Sequence, residues 1–91
     1  MAEVSDETLG ERIRRYREAH GMSQTQLAAA LRRMGVRTEA HDLSRYEGDY
    51  YEPKLRTFAV LARVLGVSVE TLLYGEDEAA RIEAERERKR D

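Results

Sequence analysis

Gly21-Met22-Ser23-Gln24-Thr25-Gln26-Leu27-Ala28 is the stretch on which the reading of this chain turns. Ser23 followed three residues later by Gln26 is a capping box: the seryl oxygen accepts from the backbone N–H of residue 26, and the Gln26 side chain reaches back to the N–H of residue 23. Met22 and Leu27 hold the two positions of a hydrophobic staple, one just before the cap and one a turn inside. A helix therefore starts at Gln24. Leu27, Ala28, Leu31 and Met34 recur at helical spacing and predict its buried face, with Arg32 and Arg33 outside it and Gly35 as its stop.

Reading outward from this helix gives others of the same kind. Toward the N-terminus, Thr8 with Glu11 makes a second capping box, with Ser5 as an alternative start one turn earlier. Leu9, Ile13 and Tyr16 are the apolar stripe of that first helix, His20 is a polar residue near its C-terminus, and Gly21 ends it. Toward the C-terminus, Thr38 reads as the cap of a third helix over about Glu39–Glu47, with Leu43 and Tyr46 or Glu47 facing inward and Gly48 terminating. Pro53 suits the first turn of a fourth helix, where its missing N–H would be unpaired anyway; Leu55, Phe58, Leu61, Ala62 and Leu65 form its apolar face. Ser68 caps a fifth, carrying Val69, Leu72 and Leu73 and stopped by Gly75. No run alternates with period two long enough for a strand. The expectation is an all-α, compact five-helix domain over residues 9–75, preceded by an N-terminal arm (1–8) and followed by a charged tail (76–91).

Composition bounds what such a domain can be. In 91 residues, with 41% hydrophobic and 37% charged side chains and no tryptophan, there is material for one domain with a thin core. The absence of cysteine removes disulfides and thiolate metal sites and makes the cytoplasm the expected compartment. No apolar run approaches the roughly 18 residues of a membrane span, and the acidic N-terminus does not read as a signal peptide. His20 and His41 stand apart from any ligand-spaced partner, so no metal is expected. With no nucleophile–base set or phosphate loop, neither catalysis nor a cofactor is expected.

The charge balance is less simple. Sixteen basic against 18 acidic residues give a net charge of -2, which argues against nonspecific attraction to a polyanion. Residues 1–75, however, carry 11 basic and 11 acidic side chains, and residues 76–91 carry 5 and 7, so the tail holds the whole excess. A neutral body can still bind a polyanion where its cations gather on one surface. The tail begins acidic and ends basic, matching a helix dipole, and is expected to be a frayed, solvated helix. Ala79, Ala80, Ile82 and Ala84 are too little apolar surface for a heptad seam.

The strings Leu9-Gly-Glu-Arg-Ile-Arg-Arg-Tyr-Arg-Glu, Gly21-Met-Ser-Gln-Thr-Gln-Leu-Ala, Leu43-Ser-Arg-Tyr-Glu-Gly and Pro53-Lys-Leu-Arg-Thr-Phe-Ala-Val-Leu-Ala-Arg-Val-Leu-Gly-Val-Ser resemble the lambda-repressor and Cro-like helix-turn-helix family, the xenobiotic-response-element type. The resemblance runs over residues 9–75. It departs from compact members between Leu31 and Leu43, where this chain is longer. The extra residues are expected in one more turn of helix two, through Arg32-Arg33-Met34, and in a longer connection at Gly35-Val36-Arg37.

The resemblance implies a sequence-specific, repressor-like transcriptional regulator that binds double-stranded DNA, with the third helix in the major groove. If Leu43 points inward, then at about 100° per residue His41 and Arg45 point outward, with Ala40 and Ser44 flanking them. Those four are the base-contacting candidates. Arg45 can donate twice to guanine O6 and N7 or bind a phosphate, Ala40 can meet a thymine methyl, and His41 and Ser44 can donate or accept at base edges. Asp42 can accept from cytosine N4 or simply complement the helix N-terminus. Arg15, Gln24, Arg37, Tyr50, Lys54 and Arg56 are implied backbone contacts, with Arg14, Arg17 and Tyr51 as further rim candidates. The Arg12–Arg17 run reads equally well as a solvated face, and Tyr50 and Tyr51 can instead pack over their loop.

Relatives of this kind bind palindromic sites as symmetric pairs. The implied homodimer contact is helix five, through Val69, Leu73 and Tyr74, with Leu72 internal and Val69 or Tyr74 more exposed. The competing reading, favoured by the neutral body and charged tail, is an antitoxin or coregulator acting mainly on a partner protein such as a toxin.

Overall fold

A computed structural model describes residues 7–89. Its six helices are α1 (Leu9–Ala19), α2 (Gln24–Arg33), α3 (Ala40–Glu47), α4 (Leu55–Leu65), α5 (Val69–Tyr74) and α6 (Glu76–Arg88). The proposed arm therefore lies outside the described residues except for Glu7 and Thr8, and so does the alternative cap Ser5. Both capping boxes form. Thr8 Oγ accepts from Glu11 N–H at 3.1 Å while Glu11 accepts from Thr8 N–H at 3.0 Å. Ser23 and Gln26 exchange the same pair at 3.0 and 2.8 Å.

Helix α2 ends in a turn that the extra residues require. Gly35, at φ +89, lets Val36 N–H reach Leu31 O and Gly35 N–H reach Arg32 O, each at 2.9 Å. This pairing is the Schellman stop, and it satisfies carbonyls that a helix end leaves orphaned. It also corrects the expected face of α2. Met34 is 43% exposed, whereas Val36 is drawn back into the core and Ala30 is buried.

Two further starts differ from expectation. Thr38 does not cap α3; its side chain is buried, its hydroxyl donates to Val36 O at 3.4 Å, and the cap is Glu39, whose N–H donates to the Asp42 carboxylate at 2.8 Å. The longer connection places residue 38 inside the fold, where no helix start can use it. Pro53 precedes the helix instead of entering it, because Lys54 is the N-cap of α4. Leu55 thereby becomes the first helical residue, beyond the end of the core, and it is 83% exposed. Thr57 is buried on α4 with Phe58, Leu61, Ala62 and Leu65.

The core is Ile13, Leu27, Leu31, Leu43, Leu61, Leu65 and Leu72, all fully buried. Each contributes about 1.5–3 kcal/mol by leaving water, and together they tie α1 through α5 into one unit. Helix α1 packs on α3 and α5, α2 on α3 and α4, and α4 on α5. Helix α6 packs on α5, with no buried residue of its own. It is held by Arg86 to Glu70 at 2.9 Å and by the Tyr16 hydroxyl, which donates to Glu76 at 2.6 Å. The tail is thus a helix, as its charge order implied, and a docked one.

Candidate nucleic-acid interface

Helix α3 is eight residues long and cannot orient itself by length alone. Three anchors fix it. Leu43 is fully buried in the core between α1, α2 and the connection. Glu47, at the last turn, meets Arg17 of α1: Arg17 Nε donates to Oε2 at 2.7 Å and a terminal nitrogen donates to Oε1 at 3.0 Å. The pair is bidentate, and the side chains are only 10% and 5% exposed. The remaining guanidinium nitrogen donates to Met22 O at 2.7 Å, and Gln24 Nε2 donates to Glu47 Oε1 at 3.1 Å. The hydrogen bonds to Glu47 hold the Arg17 proton more tightly than in a free arginine, outweighing the effect of burial. Arg17 is therefore removed from the positive rim and becomes the brace of the helix pair, because Glu47 and Met22 O between them engage all three of its buried guanidinium nitrogens.

The third anchor is Asp49, just past the end of α3. Its backbone is left-handed, at φ +62, a conformation Asp tolerates when its side chain is held. The carboxylate accepts from Gly10 N–H at 2.9 Å and from the Thr8 hydroxyl. Both donors belong to the start of α1, where free N–H groups and the helix dipole favour an anion. The approach needs a glycine: a Cβ on Gly10 would lie 2.6 Å from Glu47 O and closer still to Tyr46 O.

With α3 held on that side, its other side is displayed. His41, Ser44 and Arg45 are exposed and Ala40 is half-buried; at about 100° per residue His41 and Arg45 stand opposite Leu43 with Ser44 at their flank, whereas Ala40, seven residues before Glu47, lies toward the anchored side. Asp42 is engaged with the Glu39 N–H and lies 3.6 Å from His41 Nε2, which gives the helix start its negative complement. Burial, and then the Asp42 charge, push the Tyr46 hydroxyl above its usual range. The Arg45 guanidinium sits 5.8 Å from the centroid of the Tyr51 ring.

Ion pairing sorts the other cations. Arg12, Arg14, Arg15, Arg17 and Arg32 each meet a carboxylate. Arg12, buried, also closes the end of α5 by donating to Leu72 O and Leu73 O at 3.1 and 3.0 Å. Arg15 binds Glu7 at 2.6 Å and lies 3.8 Å from Glu76, so it is gathered with the base of α6 and not with the α3 face. Among the described residues, Arg33, Arg37, Arg45, Lys54, Arg56, Arg63 and Lys89 form no ion pair. Three of these, Arg37, Arg45 and Lys54, lie on α3 or on the connections before and after it, and Arg56 lies in the first turn of α4. Tyr50 and Tyr51 are exposed on the second connection, and Gln24 is half-buried with its amide on Glu47.

Local reading turned Glu47 inward, as the structure has it, but did not find what it meets. Arg17 and Glu47 are 30 residues apart, and Asp49 is 39 from Gly10; no local pattern links them, although Gly48-Asp49 is a turn signal. Leu55, Val69, Leu73 and Tyr74 are exposed while Leu72 is fully buried, as helix five was expected to be divided. Among the described residues no helix is long and apolar enough to cross a membrane.

Comparisons with known proteins give the same architecture. Residues 8–73 match the family described as "Helix-turn-helix domain". The P22 c2 repressor protein, solved in complex with a synthetic operator, superposes with a TM-score of 0.67 at 29% identity, over 76% of this chain and 97% of that one. SinR, the master regulator for biofilm formation, solved in complex with DNA, superposes with a TM-score of 0.61 at 33% identity, over 71% of this chain and 97% of that one. The comparison with curated proteins gave no match.

Proposed function

The chain belongs to the lambda-repressor-like helix-turn-helix family, and from that premise we propose that it is a DNA-binding transcriptional regulator, repressor-like and sequence-specific, with α3 in the major groove. The observation that carries this reading is the sorting of charge: carboxylates take up the arginines of α1, while Arg37, Arg45, Lys54 and Arg56 around α3 form no ion pair with any described residue. Phosphates can be met there without first breaking a pair within the described fold. Ala40, His41, Ser44 and Arg45 are the base-contacting set. Gln24, Arg37, Tyr50, Lys54 and Arg56 are the backbone set. Arg15 joins it weakly, since it must exchange Glu7 for a phosphate.

A single domain of this size reads few base pairs, and a two-fold pair doubles the site. Val69, Leu73 and Tyr74, with Leu55 beside them, are the proposed homodimer contact. The same apolar surface is what favours a second reading, an antitoxin or coregulator whose main partner is another protein.

Selection of duplexes from a random DNA library tests both readings. A palindromic consensus supports a dimeric sequence-specific regulator. Recovery of no sequence above background overturns it, and stoichiometric co-purification with one other protein would then favour the second reading.

A further inference from the structure

Arg45 differs from most arginines of this fold in the kind of partner it has. Arg12, Arg15 and Arg17 present the edge of the guanidinium to carboxylates, and this uses their N–H donors, even in Arg15, whose central carbon also lies 4.7 Å from the centroid of the Tyr16 ring. Arg45 makes no ion pair with any described residue, and its structural neighbour is the ring of Tyr51, 5.8 Å from its central carbon. An aromatic ring attracts a cation through its face. A guanidinium donates in its own plane. A cation–π contact of this kind therefore constrains the arginine without using the donors that would read guanine O6 and N7.

The chain brings Tyr51 there by an identifiable route. Tyr50 N–H donates back to Arg45 O at 3.0 Å, which closes the end of α3. Asp49, left-handed at φ +62 and fastened to Gly10 and Thr8, reverses the chain so that residues 50 and 51 return along α3. Tyr51 is exposed and makes no hydrogen bond with another described residue, so core packing does not explain its position.

We infer that Tyr51 is a positioning residue for Arg45: its ring holds the guanidinium over the exposed side of α3 with the donor edge free, and so sets base preference at the position Arg45 reads. The inference rests on the DNA-binding reading above. Arginine otherwise has many rotamers to lose on docking, and a partly ordered one loses fewer.

The test uses the full chain, the duplex recovered by selection, and the same duplex with the base pair most sensitive to Arg45→Ala changed. Tyr51→Ala is expected to reduce the preference for the original duplex by about two- to fivefold, the range of an exposed cation–π contact. Tyr51→Phe keeps the ring and is expected to keep the preference. In an Arg45→Ala background, Tyr51→Ala should change nothing further at that base pair. Side-chain NMR of the free protein gives a reading without DNA: the Arg45 Nε–H resonance should carry a ring-current shift that Tyr51→Phe retains and Tyr51→Leu loses. Equal loss of affinity for both duplexes in Tyr51→Ala and Tyr51→Phe would make Tyr51 a phosphate contact through its hydroxyl and overturn the inference alone. Absence of the ring-current shift would also overturn it. No sequence-selective binding by the unaltered chain would overturn the underlying reading, and this inference with it.

Discussion

Arg17 and Glu47, 30 residues apart in sequence, close a two-bond ion pair of 2.7 and 3.0 Å inside the junction of α1 and α3. Removing one partner leaves a buried charge without compensation. Glu47→Ala is expected to cost about 3–5 kcal/mol, measured by urea denaturation. The double variant Arg17→Met/Glu47→Leu should recover most of that loss, because packed apolar groups do as well there as the pair. It should not recover selective DNA binding in full, since the Gln24 amide also loses its acceptor.

Gly10 sits under the end of α3, where an added methyl group would meet the carbonyl oxygens of Tyr46 and Glu47. Both belong to the backbone and neither can rotate away. Gly10→Ala is therefore expected to destabilise the fold by roughly 1–3 kcal/mol despite improving helix propensity. Thermal melts followed by circular dichroism check this; an unchanged or raised midpoint would contradict the contact.

Leu72 and Leu55 have the same side chain and opposite surroundings, fully buried and 83% exposed. Leu72→Ala should cost about 2–5 kcal/mol in chemical denaturation. Leu55→Ala should stay within about 0.5 kcal/mol. If the surface shared by Leu55, Val69 and Leu73 is the dimer contact, the same Leu55 variant will shift sedimentation toward the monomer.

Glu7 couples the start of α1 to Arg15 and Arg12 at 2.6 and 3.0 Å. The hydrogen bond from Arg15, and then that from Arg12, hold its carboxyl below the usual range against the opposing effect of burial. A carboxyl whose folded value is depressed stabilises the fold above its unfolded value and loses that contribution as pH falls through the folded value. The melting temperature should therefore drop between about pH 5 and about pH 3 more steeply in the unaltered chain than in Glu7→Gln. Parallel curves would remove Glu7 from the acid response.

What the sequence determined by itself is what lies within one or two helical turns. The Thr8/Glu11 and Ser23/Gln26 boxes were legible because their donors and acceptors are three residues apart, and the leucine stripes because a helix repeats its own faces. The outward set His41, Ser44 and Arg45 followed from placing Leu43 inward. The failures were of another kind. Thr38 has the chemistry of a cap and Leu55 fits an apolar stripe, but the first is carried into the interior by the connection after Gly35, and the second falls beyond the end of the core. Only the tertiary structure decided which arginines carry available charge. Arg17 and Arg37 are indistinguishable as letters in a basic chain; one is buried against Glu47 and the other is exposed beside α3. That difference depends on which helices cross, a long-range packing outcome set by the shape of the core and by the closeness that Gly10 permits.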